Sequence, residues 1–307
     1  MKNAVAVIFA MILAGSTIAK DNFKTFTKSF NADKIDTVEI ETGSADVNFN
    51  SGIVKKDGKG KVVQVKLIRF EEDKCDLTIE PGNGKLFIEI KSKRKHWINF
   101  SNSCQADLEI EAPRNTAFEI RGGSSDIRGV HMSKNVSVKV GSGDIELVDI
   151  SGDLRLKSGS GDIDLVGIAG YADVSTGSGD ITLANVKGNV KLSTGSGDIE
   201  GVMYSNDVVV SIGSGNTKLS GLLGSLRHNS GSGSLLAIWD KPVIKGEVSL
   251  KKGSGDTELY FPKGSKIDVD IRTGSGRVRN EFGFSPGNDF IIHGKTGSGD
   301  IYIGRKR

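Results

Sequence analysis

The chain has 307 residues, of which 41 are glycine, 5 proline and 2 cysteine, and its formal net charge is +3. A collagen-like triple helix needs glycine at every third position and far more proline, so that class is excluded, and the scarcity of aromatic residues argues against a conventional thick core. The near balance of charge speaks against a nucleic-acid binder and against the very acidic calcium-rich repeat proteins, so partner choice must rest on local patches.

The opening segment, MKNAVAVIFAMILAGSTIA, combines an early lysine, an apolar run from Ala4 to Ala14, and small residues at Thr17 and Ala19. It reads as a secretory signal peptide cleaved after Ala19. No cysteine follows the apolar run, so a lipid anchor on a cleaved N-terminal cysteine is not indicated. No later stretch approaches the ~18 apolar residues of a membrane helix. The expectation is an exported protein, periplasmic or extracellular at the cell surface, with no transmembrane segment in the mature chain.

Residues 20–118 are expected to form irregular N-terminal β coils and a cap. TGSADVNF (Thr42 to Phe49) is an early, isolated copy of a motif that recurs later, and KVVQVKLIRF, CDLTIE, KLFIEIK and CQADLEIEA alternate in polarity as strands do. Such strands would cover the first edge of the body, which otherwise invites aggregation. Cys75 and Cys104 are the whole cysteine complement of an exported chain, so one disulfide is expected between them. The loop KSKRKHWINF places Lys91, Lys93, Arg94, Lys95, His96 and Trp97 together. Basic side chains beside an indole suit an anionic glycan, lipid headgroup or protein, and Lys91, Lys93, Arg94, Lys95 and Trp97 form the candidate binding surface; a solvated hairpin tip is the plainer alternative.

From residue 119 to 307 the chain is a repeat. Corner glycines stand at Gly123, Gly141, Gly159, Gly177, Gly195, Gly213 and Gly231, evenly spaced without drift, and looser copies follow at Gly253, Gly274 and Gly297. In GSGDIELVDISGDLRLKS (Gly141 to Ser158), Ile145 and Leu147, then Leu154 and Leu156, alternate in two short runs, so each unit is two strands and two corners. Down the columns aliphatic stacks on aliphatic: Ile127, Ile145, Ile163, Ile181, Ile199, and Val136, Leu154, Ala172, Val190, Val208, Leu226. The pattern predicts an all-β fold, a parallel β-solenoid (β-helix or β-roll) with 18-residue coils and irregular wider coils at both ends, each coil about 4.8 Å above its predecessor. An antiparallel meander would not place like residues in ladders of constant period, and an outer-membrane barrel needs longer strands with aromatic girdles.

The corner supplies a structural turn ladder of Ser142, Asp144, Ser160, Asp162, Ser178, Asp180, Ser196 and Asp198. The serines are in phase with inward positions and are expected inside the bend, bonding backbone groups there; the aspartates, with Asp126, are expected outward, accepting from nearby amides as Asx-type turns. The flanking glycines permit the tight or positive-φ backbone. Calcium bridging the aspartate column is the competing reading; against it, nonapeptide-repeat rolls place glycine and aspartate differently, and the column lapses to Asn216 and Ser234. The wider C-terminal coils bring in Trp239, Tyr260, Phe261, Phe282, Phe284 and Phe290, as an aromatic recognition patch or, better, as a hydrophobic plug. The terminal GRKR adds charge that discourages end-to-end stacking.

The repeated TGSGDI, the segment DLEIEAPRNTAFEIRGGSSDI (Asp107 to Ile127) and the closing KTGSGDIYIG (Lys295 to Gly304) resemble the bacterial "putative-adhesin" β-strand-repeat family, a domain of unknown function. The resemblance is strongest from Asp107 to Gly304 and weakest from Ser51 to Gln105. It implies a parallel β-solenoid of right-handed type, export and a surface-binding role, and it carries over no catalytic residue.

Catalysis finds little support. His96, His131, His228 and His293 lack metal-ligand spacing, and His228 falls on an inward column, where a structural role is expected. No GxSxG elbow is present, and GSGDIE lacks the last glycine and the helix of a dinucleotide loop. The reading is an exported non-enzymatic scaffold without cofactor, an adhesin or envelope-surface binding protein whose partner is a surface glycan or protein. The alternatives are a calcium-stabilised repeat protein and a polysaccharide-active β-helix enzyme.

Overall fold

The computed structural model describes residues 25–51, 54–55, 61–93, 104, 106–283 and 287–306. The signal peptide, Arg94, Lys95, His96, Trp97 and Phe284 lie outside the described residues. Apart from one short 3-10 turn at Ala32–Lys34, the regular structure described is β, in two long sheets of 15 and 13 strands. Alternating polarity decides this, because each short run has one apolar face and the two sheets bury those faces against each other.

In the body, each coil gives one strand to each sheet. Leu154–Ser160 lies in the second sheet and the next strand, Ile163–Ile168, in the first. Pairing is parallel, and every position meets its counterpart in the next coil: Ile145 with Ile163 and Leu147 with Leu165 on one side, Leu154 with Ala172 and Leu156 with Val174 on the other. The aliphatic columns are buried, Leu147, Leu156, Ile163 and Val174 being wholly inaccessible. At roughly 1.5–3 kcal/mol for each fully buried aliphatic side chain, this narrow core is the main source of cohesion between neighbouring coils. The corner leading out of the first sheet uses left-handed backbone at His131, Asp149, Gly167, Asn185 and Gly221, with φ between 54° and 80°. These residue types reach αL more readily than β-branched ones do.

Both ends depart from simple succession. The early motif copy is not isolated: Asp46–Ser51 pairs in parallel with Ile127–Met132, and Thr37–Thr42 with Ala117–Ser124, so the copy is the coil next to the main array. The excursion that follows it folds back beyond it as a cap. There Lys61–Phe70 runs antiparallel to both Phe26–Asn31 and Ala106–Ala112, and Cys75–Gly82 is antiparallel to Lys85–Ser92. A disulfide joins Cys75 to Cys104 inside this cap.

The C-terminal end repeats the device. Asp289–Ser298 is inserted between Lys245–Lys252 and Asp268–Ser275, and Ile301–Arg305 between Thr257–Phe261 and Val278–Asn280. The last coil in sequence is therefore the penultimate coil in space. Aromatic residues fill the wider interior here. Trp239 stacks on Phe261 at 4.2 Å, Phe290 meets both edge-on, and the indole Nε1 donates to Gly224 O at 2.8 Å. These three rings are fully buried as a plug, while Tyr260 packs edge-on to Tyr302 on the outside. At the other end Phe49 stacks on Phe118 at 4.3 Å, and Gly129 makes the room, since a Cβ there would lie 2.1 Å from the Phe49 ring.

Candidate functional site

The repeated corner is an architectural device. A Cβ on the first glycine of each corner would meet the carbonyl oxygen of the same glycine one rung back, at 2.8 Å for Gly141, 2.5 Å for Gly159 and Gly177, and 2.6 Å for Gly195. The second glycine adopts positive φ, from 103° at Gly255 to 149° at Gly179. Both are required by the close stacking of corner on corner.

Each corner aspartate bonds to the next rung. Asp144 Oδ1 accepts from the Asp162 amide at 2.9 Å, Asp162 from Asp180 at 2.8 Å, Asp180 from Asp198 and Asp198 from Asn216, both at 2.7 Å. The expected local Asx turn is thus replaced by a ladder from coil to coil. Each partly negative oxygen is held by an amide, which offsets the repulsion of stacked carboxylates. Asn216 continues the ladder by accepting from the Ser234 amide at 3.0 Å, because the bond needs a side-chain carbonyl and not a charge.

The serines do the opposite of what their phase implies. Ser142, Ser160, Ser178 and Ser196 are exposed, since the bend begins at the glycine before them and breaks the alternation. The inward hydroxyls belong to residues two positions earlier. Ser158, Thr176 and Thr194 donate to the carbonyls of Gly143, Gly161 and Gly179 at 3.3, 3.1 and 3.2 Å.

Of the candidate basic surface, Lys91 and Lys93 are described, and both are engaged. Lys91 Nζ lies 2.5 Å from Glu89, while Lys93 Nζ donates to Glu72 O at 2.5 Å and sits 3.7 Å from Asp76. A depression of about 440 Å³ on the outer face of the first sheet is likewise neutralised, because its cations Lys66 and Arg128 pair with Glu109 and Glu146.

The second sheet is different. Its outward position three residues before the corner serine reads, rung by rung, Arg121, Lys139, Lys157, Ser175, Ser193, Ser211, Asn229, Lys251, Lys295, Arg272. No acid interrupts these ten rungs. Beside the column lies the strip of exposed corner glycines, and beyond the strip the exposed serines. Two adjoining open depressions mark the C-terminal half of this trough, one lined by Ser193, Ser211, Asn229, Lys251 and Lys295 and the other, of about 740 Å³, by Arg227, Lys251, Arg272, His293 and Lys295. Sequence reasoning missed this column. Its first seven members follow the 18-residue period, but joining Lys251 to Lys295 and Arg272 requires the strand insertion at the end of the chain.

The buried polar residues are a separate group. His228 is 1% exposed, and its Nε2 lies 3.0 Å from Thr217 Oγ1. Burial holds the imidazole down to a pKa of about 3, with a further push from Lys252. Lys252 Nζ donates to Asp256 O at 2.7 Å and to Thr257 Oγ1 at 3.0 Å, and burial lowers its pKa to about 8 against the opposing pull of Asp256. Both side chains are buried between the sheets, Lys252 also bordering the first of those depressions. Among the described residues no group of three or more His, Cys, Asp or Glu side chains is placed to hold a metal ion, and no helix is long and apolar enough to cross a membrane.

The sequence matches the Toastrack DUF4097 family in two overlapping stretches, residues 35–204 and 172–300. No curated protein matches it. Among solved structures it is similar to a "putative adhesin" from Parabacteroides distasonis ATCC 8503, at 13% identity and a TM-score of 0.40 over 92% of this chain and 98% of that one. It is also similar to a "putative adhesin" from Bacteroides fragilis NCTC 9343, at 14% identity and a TM-score of 0.34 over 91% and 97% of the two chains. A "putative cell adhesion protein" from Clostridium sporogenes ATCC 15579 gives 14% identity and a TM-score of 0.29 over 92% and 100%. Family membership rests on the sequence match.

Proposed function

The chain belongs to the Toastrack DUF4097 family, and from that premise we propose that it is an exported, non-catalytic scaffold that recognises a component of the cell envelope or of another cell's surface, in the manner of an adhesin. The observation that carries this reading is the uniformity of the body. Rung after rung presents the same corner and the same outward positions, which suits repeated weak contacts with an extended partner and not a single reaction centre. The Cys75–Cys104 disulfide fits an oxidising compartment. The polar residues with the largest pKa displacements, His228 and Lys252, are buried and bonded to Thr217 and to Asp256 and Thr257, as residues of structural role are.

No calcium is required in this reading, because the corner aspartates hold the amides of the next rung. Melting with and without a chelator should give the same midpoint; a large drop on chelation would restore the calcium alternative. The surface role is tested by adding labelled full-length protein to intact cells of the source organism and of neighbouring species. Saturable attachment is expected, and its absence from every cell type would overturn the reading. Charge reversal at Lys93, Arg94 and Lys95 in the same assay reports on the loop, and unchanged attachment would remove that loop from the surface.

A further inference from the structure

We propose that the trough on the outer face of the second sheet is a binding site for a linear acidic polysaccharide, lying along the solenoid axis against Lys251, Lys295 and Arg272. The inference deepens the surface-recognition reading and rests on it. Three observations carry it.

The first is unspent charge. Lys251 and Lys295 stand on adjacent rungs with no ion-pair partner among the described residues, and Arg272, on the following rung, has only Asp270 at 4.0 Å. Elsewhere the exposed cations of the sheets are mostly neutralised, as Arg121 is by Glu39 and Glu41, Lys191 by Asp173, and Lys218 by Glu200. Nearest the trough, Glu247 is occupied by Arg227 at 3.1 Å and His293 at 3.4 Å, leaving Asp270 as the opposing charge. Three cations at the rung spacing of about 4.8 Å therefore face solvent in a row.

The second is shape. The corner glycines leave a strip without side chains beside the cations, and exposed serines, among them Ser196, Ser214, Ser232 and Ser298, line its far side. A flat floor with a wall of cations and a wall of hydroxyls matches a polymer bearing acid groups and many hydroxyls. Toward the middle of the body the cations give way to Asn229, Ser211, Ser193 and Ser175, and they return at Lys157 and Lys139. From Arg121 to Arg272 the column spans nine steps, roughly 43 Å at that rung spacing.

The third is what the face lacks. A single-stranded nucleic acid would need continuous cations and aromatic platforms for its bases, but the middle of the column is uncharged and the exposed tyrosines Tyr171 and Tyr204 lie outside it. A membrane surface would need a row of apolar residues beside the cations; near them the second sheet exposes a lone large aliphatic, Ile291, whereas an outward aliphatic column, Val148, Val166, Ala184 and Val202, runs along the other sheet.

The test measures binding of the full-length protein to polygalacturonate, to uncharged dextran and to vesicles containing phosphatidylglycerol. Binding to polygalacturonate that weakens with added salt, with none to dextran, is expected. Lys251→Glu with Lys295→Glu should lower the affinity by roughly tenfold or more. Ser232→Tyr, which leaves charge unchanged but obstructs the strip, should lower it as well, while Lys134→Glu with Lys187→Glu, exposed at the opposite corner, should leave it within about twofold. Melting curves establish that each variant is folded, and Lys251→Gln with Lys295→Gln serves if the reversal does not fold. Unchanged polygalacturonate binding in the folded trough variants, or vesicle binding in place of polysaccharide binding, would overturn the proposal. Wild-type attachment to cells that survives both trough substitutions would sink the trough while sparing the surface role, whereas failure of wild-type attachment to any cell would sink the surface role.

Discussion

Within the pentapeptide GSGDI the residues carry very unequal structural weight. A Cβ on Gly177 would press on the Gly159 carbonyl oxygen at 2.5 Å, and the obstacle is backbone that cannot rotate away. Gly177→Ala should therefore destabilise by roughly 2–4 kcal/mol in chemical denaturation, since the whole rung must shift. Ser178→Ala, one residue on, should change stability by no more than about 0.5 kcal/mol, because that hydroxyl is exposed. Asp162→Asn should be nearly neutral, as Asn216 already does the same work, whereas Asp162→Ala should cost about 1–2 kcal/mol through loss of the bond to the Asp180 amide. The sequence marked all these positions as important. It could not rank them, because the Cβ clash and the coil-to-coil carboxylate bond exist only between rungs.

The buried ionisable pair makes stability depend on pH at both ends of the scale. His228 has a folded pKa of about 3, below its unfolded value of 6.5, so the unfolded chain takes up a proton first. Its contribution is present above about pH 6.5 and is lost as pH falls toward 3. Lys252, lowered from 10.5 to about 8, acts in the alkaline range, where stability rises between pH 8 and 10.5 as the buried amine discharges before the unfolded one does. Melting temperatures of the wild type, His228→Leu and Lys252→Thr across pH 3–10 check both. His228→Leu should flatten the acid limb, since Val210 and Leu250 flank that position. Lys252→Thr should abolish the alkaline rise, placing there the residue type that Thr176 and Thr194 supply at equivalent corners.

At the scale of elements, both termini follow one rule. A coil from near the chain end is inserted against the array, and the neighbouring segment in sequence closes the exposed edge beyond it. At the N-terminal end the disulfide secures the closure. It joins cysteines separated by 29 positions, so replacing both Cys75 and Cys104 by serine should cost roughly 2–4 kcal/mol, read as a lowered denaturation midpoint of the cap. The strands of this cap, the cysteine pairing and the early motif copy were legible from alternation and composition. The order of stacking was not, because the 18-residue period lapses where insertion occurs, and periodicity is the signal from which register is read. The same lapse concealed the row of Lys251, Lys295 and Arg272, which neighbour one another in space but follow no repeat along the chain.

At the scale of the whole molecule, the two sheets differ in surface chemistry although one repeat generates both. Both sheets carry paired charges, but the first adds an aliphatic column and the second an acid-free column broken only by small polar residues. The fold could be read from the chain because it depends on local pattern and on like residues at a constant interval. The surface asymmetry emerges once strands are assigned to faces and registers. Both the scaffold and its trough depend on coils lying in parallel register, each position above its counterpart in the preceding coil. The direct measurement is cysteine cross-linking of paired substitutions on the exposed serines, followed by mass spectrometry at low protein concentration. Rung spacing of about 4.8 Å lies within disulfide reach, so Ser160→Cys with Ser178→Cys should form an intramolecular bond readily, and Ser160→Cys with Ser196→Cys, two rungs apart, should not. The opposite outcome, or bonding in neither pair, would contradict the stacked parallel register.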